Sequence, residues 1–72
     1  MKVRIKEWDD MAEEYGIDED GDIDCYCSFT IEMKEYCGKV FEVFEVYDSD
    51  NWKGFEYDGW LFSSDTYEII EE

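Results

Sequence analysis

The chain has no histidine and no proline. Without histidine it lacks the side chain that most often serves as a general base or binds a transition metal. With no proline and only five glycines in 72 residues, it does not read as a linker or a low-complexity segment. Basic residues are also scarce: six Lys and Arg stand against 22 Asp and Glu, for a formal net charge of −16. A polyanion is repelled by DNA, RNA and anionic lipid surfaces, so direct nucleic-acid or membrane binding is not expected, and a basic protein partner is favoured. No apolar run approaches the roughly 20 residues of a membrane span. The opening MKVRIKEW has no apolar signal-peptide core, so a cytoplasmic protein is expected. Three cysteines, an odd count, suit a reducing compartment better than a disulfide framework.

What is present points to a folded β-rich domain. Aromatics make up 19% of the chain, which argues against the disorder that the charge alone would suggest. Seventy-two residues make one domain, residues 1–72. Residues 2–6 alternate, with Val3 and Ile5 opposite Lys2, Arg4 and Lys6, as a half-buried strand does. In WDDMAEEY the period changes: Trp8, Met11, Ala12 and Tyr15 form the stripe of an amphipathic helix over 8–15, with Gly16 as its stop. Ile23, Cys25 and Cys27 share one face of a short extended segment. Thr30 reads as the N-cap of a second helix, IEMKEYC, which Gly38 ends, with Phe29, Met33, Tyr36 and Cys37 inward. A strand over 39–47 slips its alternation at the adjacent Val43 and Phe44, which predicts a bulge or bend. Strands 52–57 and 60–63 flank Asp58-Gly59, a strong two-residue hairpin signal, and 67–70 closes the set. The expected fold is mainly β: a small five-stranded antiparallel barrel with a two-helix insert at 7–38.

WKG at 52–54 followed by GWLFSSDTYEII at 59–70 resembles the tryptophan, glycine-bounded hairpin, helical turn and closing strand of a Src-homology-3-like barrel, a resemblance that covers roughly the C-terminal half of this chain plus its first strand. In that family's peptide-binding members a proline in the helical turn helps form the groove. Ser64 stands there instead, while Trp52, Trp60 and Tyr67 could line a groove or belong to the core. The run WDDMAEEYGIDEDGDI, then FTIEMKEYCGK, then the GW…YEII ending, is similar to a group of small proteins encoded by phages and prophages. That resemblance implies a phage or mobile-element origin and a barrel, and no catalytic residues.

An EF-hand needs glycine at its sixth position and an acid at its twelfth. Starting at Asp18 puts glycine fourth and Phe29 twelfth, and starting at Gly16 puts Cys27 twelfth, so no metal site is expected in DEDGDID. Cys25, Cys27 and Cys37 fall short of a structural zinc set and read as small buried apolar side chains. No catalytic group and no cofactor are expected, and the chain reads as a non-enzyme. The charge distribution says more than any of these. Residues 7–24 hold ten acids and no base, and residues 40–72 hold ten more against Lys53 alone. Asp9, Asp10, Glu13 and Glu14 on the first helix, Asp18, Glu19, Asp20, Asp22 and Asp24 in the loop, and Glu56 and Asp58 near the hairpin are the candidate partner-binding residues. Two functions are compatible with them. One is a nucleic-acid mimic that inhibits a basic nucleic-acid-binding host protein, of the anti-restriction or anti-CRISPR type. The other is an adaptor that binds a peptide or protein through exposed aromatics.

Overall fold

The first strand, β1 (Lys2–Ile5), places Val3 and Ile5 fully inside and its basic residues outside. In the computed structural model, which describes residues 1–50 and 52–71, this strand lies in the middle of a three-stranded antiparallel sheet. Its neighbours are β2 (Val40–Glu42) and β6 (Tyr67–Glu71). A second three-stranded antiparallel sheet runs in the order β3 (Tyr47–Asp48), β4 (Lys53–Tyr57), β5 (Trp60–Ser63). Two short 3₁₀ turns, Ile31–Tyr36 and Ser64–Thr66, and one helix, α1 (Trp8–Tyr15), complete the order. The protein is mainly β, built from small antiparallel sheets with short helical pieces.

Both sheets and the 7–38 insert contribute to one core. Phe62 is its hub: it stacks on Phe55 with ring centroids 5.0 Å apart and meets Phe29, Tyr36 and Phe41 edge-on at 5.8–6.0 Å. Offset and edge-to-face contacts of this kind add to the area effect of burying rings. Met11, Ile23 and Met33 fill the insert side.

Three expectations change in the structure. Six strands replace five, because the expected strand over 39–47 breaks at its pattern slip. Val43 turns inward and its N–H donates to the Met1 carbonyl at 2.7 Å, while Phe44 points out and is 90% exposed. The chain leaves the first sheet there and joins the second at Tyr47, so the slip marks a change of sheet. The second expected helix is a 3₁₀ turn. The Thr30 side chain makes no cap bond and its buried Oγ1 has no partner, whereas the Asp22 carboxylate accepts the Ile31 N–H at 3.0 Å. The extended segment at 23–27 reduces to two isolated bridges, Ile17–Ile23 and Ile23–Phe29. The Asp58-Gly59 hairpin holds as expected, with both residues at positive φ (53° and 81°), the geometry of a type I′ turn.

Cys25, Cys27 and Cys37 are half-buried free thiols rather than fully buried ones: Cys25 and Cys37 sit at the rim of the core, and the Cys27 sulfur accepts the Trp52 indole N–H. Burial, reinforced by Glu7, pushes the Cys37 thiol up to about 11, and burial plus Asp65 raises Cys25. A thiol raised by about two units has a thiolate population about 100-fold smaller at neutral pH. Iodoacetamide followed by peptide mass mapping should therefore alkylate native Cys37 about tenfold more slowly than the unfolded chain, because the greater nucleophilicity of a more basic thiolate offsets part of its smaller population. The folded thiol holds its proton more tightly than the unfolded one. Its stabilising contribution is thus complete below the unfolded value and is lost as pH rises through the folded one.

Candidate functional site

The helix α1 forms because Trp8, Met11, Ala12 and Tyr15 bury one stripe against the core. Trp8 lies 6.2 Å from Phe29, and the Tyr15 hydroxyl donates to the Asp65 carbonyl at 2.7 Å. The opposite face consists of Asp9, Asp10, Glu13 and Glu14, all exposed. Their spacing puts like charges at i, i+3 and i, i+4, an arrangement that destabilises a helix by about 0.2–0.5 kcal/mol per pair. Asp9 and Asp10 suit the helix N-terminus, but the last turn contains no base, and Glu13 and Glu14 oppose the dipole there. Only Glu14 among these four has a described cationic neighbour, Lys6 at 3.9 Å.

The acidic loop continues directly from the helix. Gly16, at φ 88°, turns the chain, and the Asp24 N–H returns to the Gly16 carbonyl at 3.0 Å, folding the loop back onto the helix end. Inside the loop, one Asp18 carboxylate oxygen accepts the N–H groups of Asp20 (2.9 Å) and Asp22 (3.1 Å). The five loop acids thus divide into two kinds. Asp18 and Asp22 are half-buried and engaged with backbone, while Glu19, Asp20 and Asp24 are exposed. Carboxylate oxygens of Asp18, Asp20 and Asp22 come within 4.8 Å of one another. Two backbone donors already occupy one of those oxygens, which accounts for the cluster as a turn.

Glu56 and Asp58 lie apart from this surface. Glu56 is exposed on β4 opposite Leu61. Asp58 takes the Tyr36 hydroxyl at 2.9 Å, and this hydrogen bond raises the Tyr36 phenol above its usual range. Asp22 holds the start of the Ile31–Tyr36 turn and Asp58 accepts from the ring hydroxyl at its end.

No known protein family, curated protein or solved structure matches this chain.

The basic residues are used internally. On the outer face of the first sheet, Lys2 lies between Glu42 and Glu71 in register, and Arg4 is opposite Glu68. Lys2 reaches Glu71 at 3.8 Å and Lys53 reaches Asp48 at 4.0 Å. Lys34 sits over the Trp8 ring at 5.4 Å and Lys39 over Tyr36 at 6.0 Å. With the cations placed this way, residues 9–24 keep most of their negative charge facing water.

The sequence left the aromatics open, and the structure separates them. Tyr67 is core, while Trp60 and Trp52 are half-buried. Trp52 donates its indole N–H to the Cys27 sulfur and meets Tyr47 at 5.7 Å. An open groove of about 330 Å³ lies between Tyr26, Trp52, Ser64 and Asp65. Asp65, absent from the sequence candidates, organises that wall by accepting from the Tyr26 N–H (3.0 Å) and the Ser63 hydroxyl (2.5 Å). Its short-range signal was the turn Ser63-Ser64-Asp65, but its bond to Tyr26 spans 39 residues.

Proposed function

We propose that this chain is a non-catalytic, acidic protein-binding module that occupies the nucleic-acid site of a basic protein, with carboxylates standing where phosphates would. The observation behind it is the continuous acidic surface of α1 and the 18–24 loop. Eight helical residues span about 12 Å, over which duplex DNA carries about seven charges. The helix presents four exposed acids in that length, and the loop folded onto its end adds Glu19, Asp20 and Asp24. The repulsion built into the last turn of α1 works against the helix itself, as surfaces shaped for a partner often do. The resemblance to phage-encoded proteins supports a mobile-element origin and an inhibitor acting in the bacterial cytoplasm, against a restriction- or CRISPR-type target. Two small sheets around one core are compatible with an SH3-like small barrel, which is part of the same proposal. Among the described residues, no helix is long and apolar enough to cross a membrane.

The test begins with a pull-down from bacterial lysate at low salt, elution by salt, and mass spectrometry. The captured protein should be basic, and this chain should release DNA from it in a gel shift, with less release as salt rises. Capture that resists molar salt and leaves DNA bound would favour the second reading. In that reading the chain is an adaptor that takes a peptide in the groove between Tyr26 and Trp52.

A further inference from the structure

The change of sheet at 43–46 leaves a second groove, of about 400 Å³, away from the acidic helix and loop. Its walls are three rings: Phe44, 90% exposed, Tyr47 and Tyr57. Its floor is Val43 and Phe55, both buried. Three glutamates, Glu42, Glu45 and Glu56, also line it, and no basic side chain does. We infer that this groove is a receptor for arginine side chains on an extended segment of a protein partner.

Three features support that occupant. Two of the rings are braced from behind: Tyr57 stacks on Phe41 with centroids 4.3 Å apart, and Tyr47 leans on Trp52. Rigid rings offer contact area at little entropic cost. Phe44 has no comparable support, and a phenylalanine left in water forgoes about 1.5–3 kcal/mol of burial. The carboxylates choose the chemistry. An apolar segment would leave Glu42, Glu45 and Glu56 beside a dry contact, and a second copy of a chain with charge −16 would be repelled. A guanidinium answers both halves of the lining, because it stacks on ring faces and forks onto carboxylates, whereas an ammonium does only part of this. The Met1 ammonium already donates to the Val43 carbonyl, at 3.3 Å. The inference rests on the proposed basic partner and adds a second contact with it.

The test uses a capped pentapeptide carrying two arginines, with its lysine and citrulline counterparts, titrated into the full chain and followed by NMR of the aromatic side chains. The resonances of Phe44, Tyr47 and Tyr57 should shift saturably with the arginine peptide. Binding should be several-fold weaker with lysine and undetectable with citrulline. Phe44→Ala and the pair Glu45→Gln with Glu56→Gln should each weaken binding roughly tenfold without lowering thermal stability, since these side chains face solvent. Citrulline binding as tightly as arginine, shifts confined to the α1 rings Trp8 and Tyr15, or concentration-dependent shifts without peptide would each overturn the inference. The second of these leaves the acidic-surface proposal standing. Conversely, saturable shifts in the groove, combined with DNA displacement that survives neutralisation of residues 9–24, would keep the groove and remove the mimic.

Discussion

Replacing Gly54 with alanine should cost this protein most of its stability. Gly54 is buried as the second residue of β4, paired with Tyr47 on one side and Ser63 on the other. An added Cβ would collide with the Phe62 carbonyl oxygen and lie 3.0 Å from the Ser63 Cα. Both are backbone atoms of the paired strand, so no side-chain rotation relieves the clash, and the β4–β5 ladder must open. Overpacking costs about 1–3 kcal/mol when side chains can yield, and a backbone clash lies at or beyond the top of that range. A 72-residue domain has on the order of 4–11 kcal/mol in total. The melting temperature, read by far-ultraviolet circular dichroism, should fall by more than about 10 °C. Gly59→Ala is the matched control: its Cβ meets nothing within 4 Å, and only the positive φ of 81° opposes it, at about 1–2 kcal/mol. Equal losses for the two variants would refute the close-approach argument.

The second large effect has two parts of opposite sign. Consider a variant with Asp9, Asp10, Asp20 and Asp24 changed to asparagine and Glu13, Glu14 and Glu19 to glutamine. Asp18 and Asp22 stay, because their carboxylates hold backbone N–H groups of the loop and of the following turn. Seven of the 22 negative charges disappear. Within α1, the favourable dipole effect of Asp9 and Asp10 and the unfavourable one of Glu13 and Glu14 are similar in size and offset each other. Relief of like-charge pairs in the helix, and between the helix and the loop, remains. The variant should therefore melt a few degrees higher than the natural sequence in low salt, and the difference should vanish near 1 M salt, where the Debye length is about 3 Å. Its affinity for the basic partner should drop more than about 100-fold, with a flatter salt dependence. A surface that makes the protein less stable and binding tighter is one selected for binding. Unchanged affinity would mean the charge is incidental.

The features legible in the sequence were those set by neighbours a few residues apart. The Asp58-Gly59 turn, the α1 stripe and the β1 alternation each follow from local geometry. Features that depend on distant partners were misread. Thr30 looked like a cap, but the donor that needed one found Asp22, eight residues upstream of Thr30, and a 3₁₀ turn resulted. The slip at Val43 and Phe44 was visible, yet a sequence does not show that a second sheet takes over beyond it. In the sequence the candidate acids share only their charge density. That measure separates neither Asp18, Asp22 and Asp58, which are engaged in hydrogen bonds, from the exposed carboxylates beside them, nor the Glu56 region from the α1 surface. The aromatic lining of the 43–57 groove stayed hidden because Phe44 and Tyr47 lie on the expected strand 39–47 and Tyr57 on 52–57, and only the break at Val43 and Phe44 brings the three rings to one groove.

The pairing of β1 with β6 has a mechanical consequence. The ladder is antiparallel, and Lys2 lies opposite Glu71, so both strand ends emerge at the same edge of the sheet. Tension between those ends loads one rung at a time, from Lys2–Glu71 through Val3–Ile69 and Arg4–Glu68 to Ile5–Tyr67. Strands pulled in this way peel instead of sliding past one another, and no step requires several hydrogen bonds to break together. Each rung lost exposes the next of Val3, Ile5 and the core behind them.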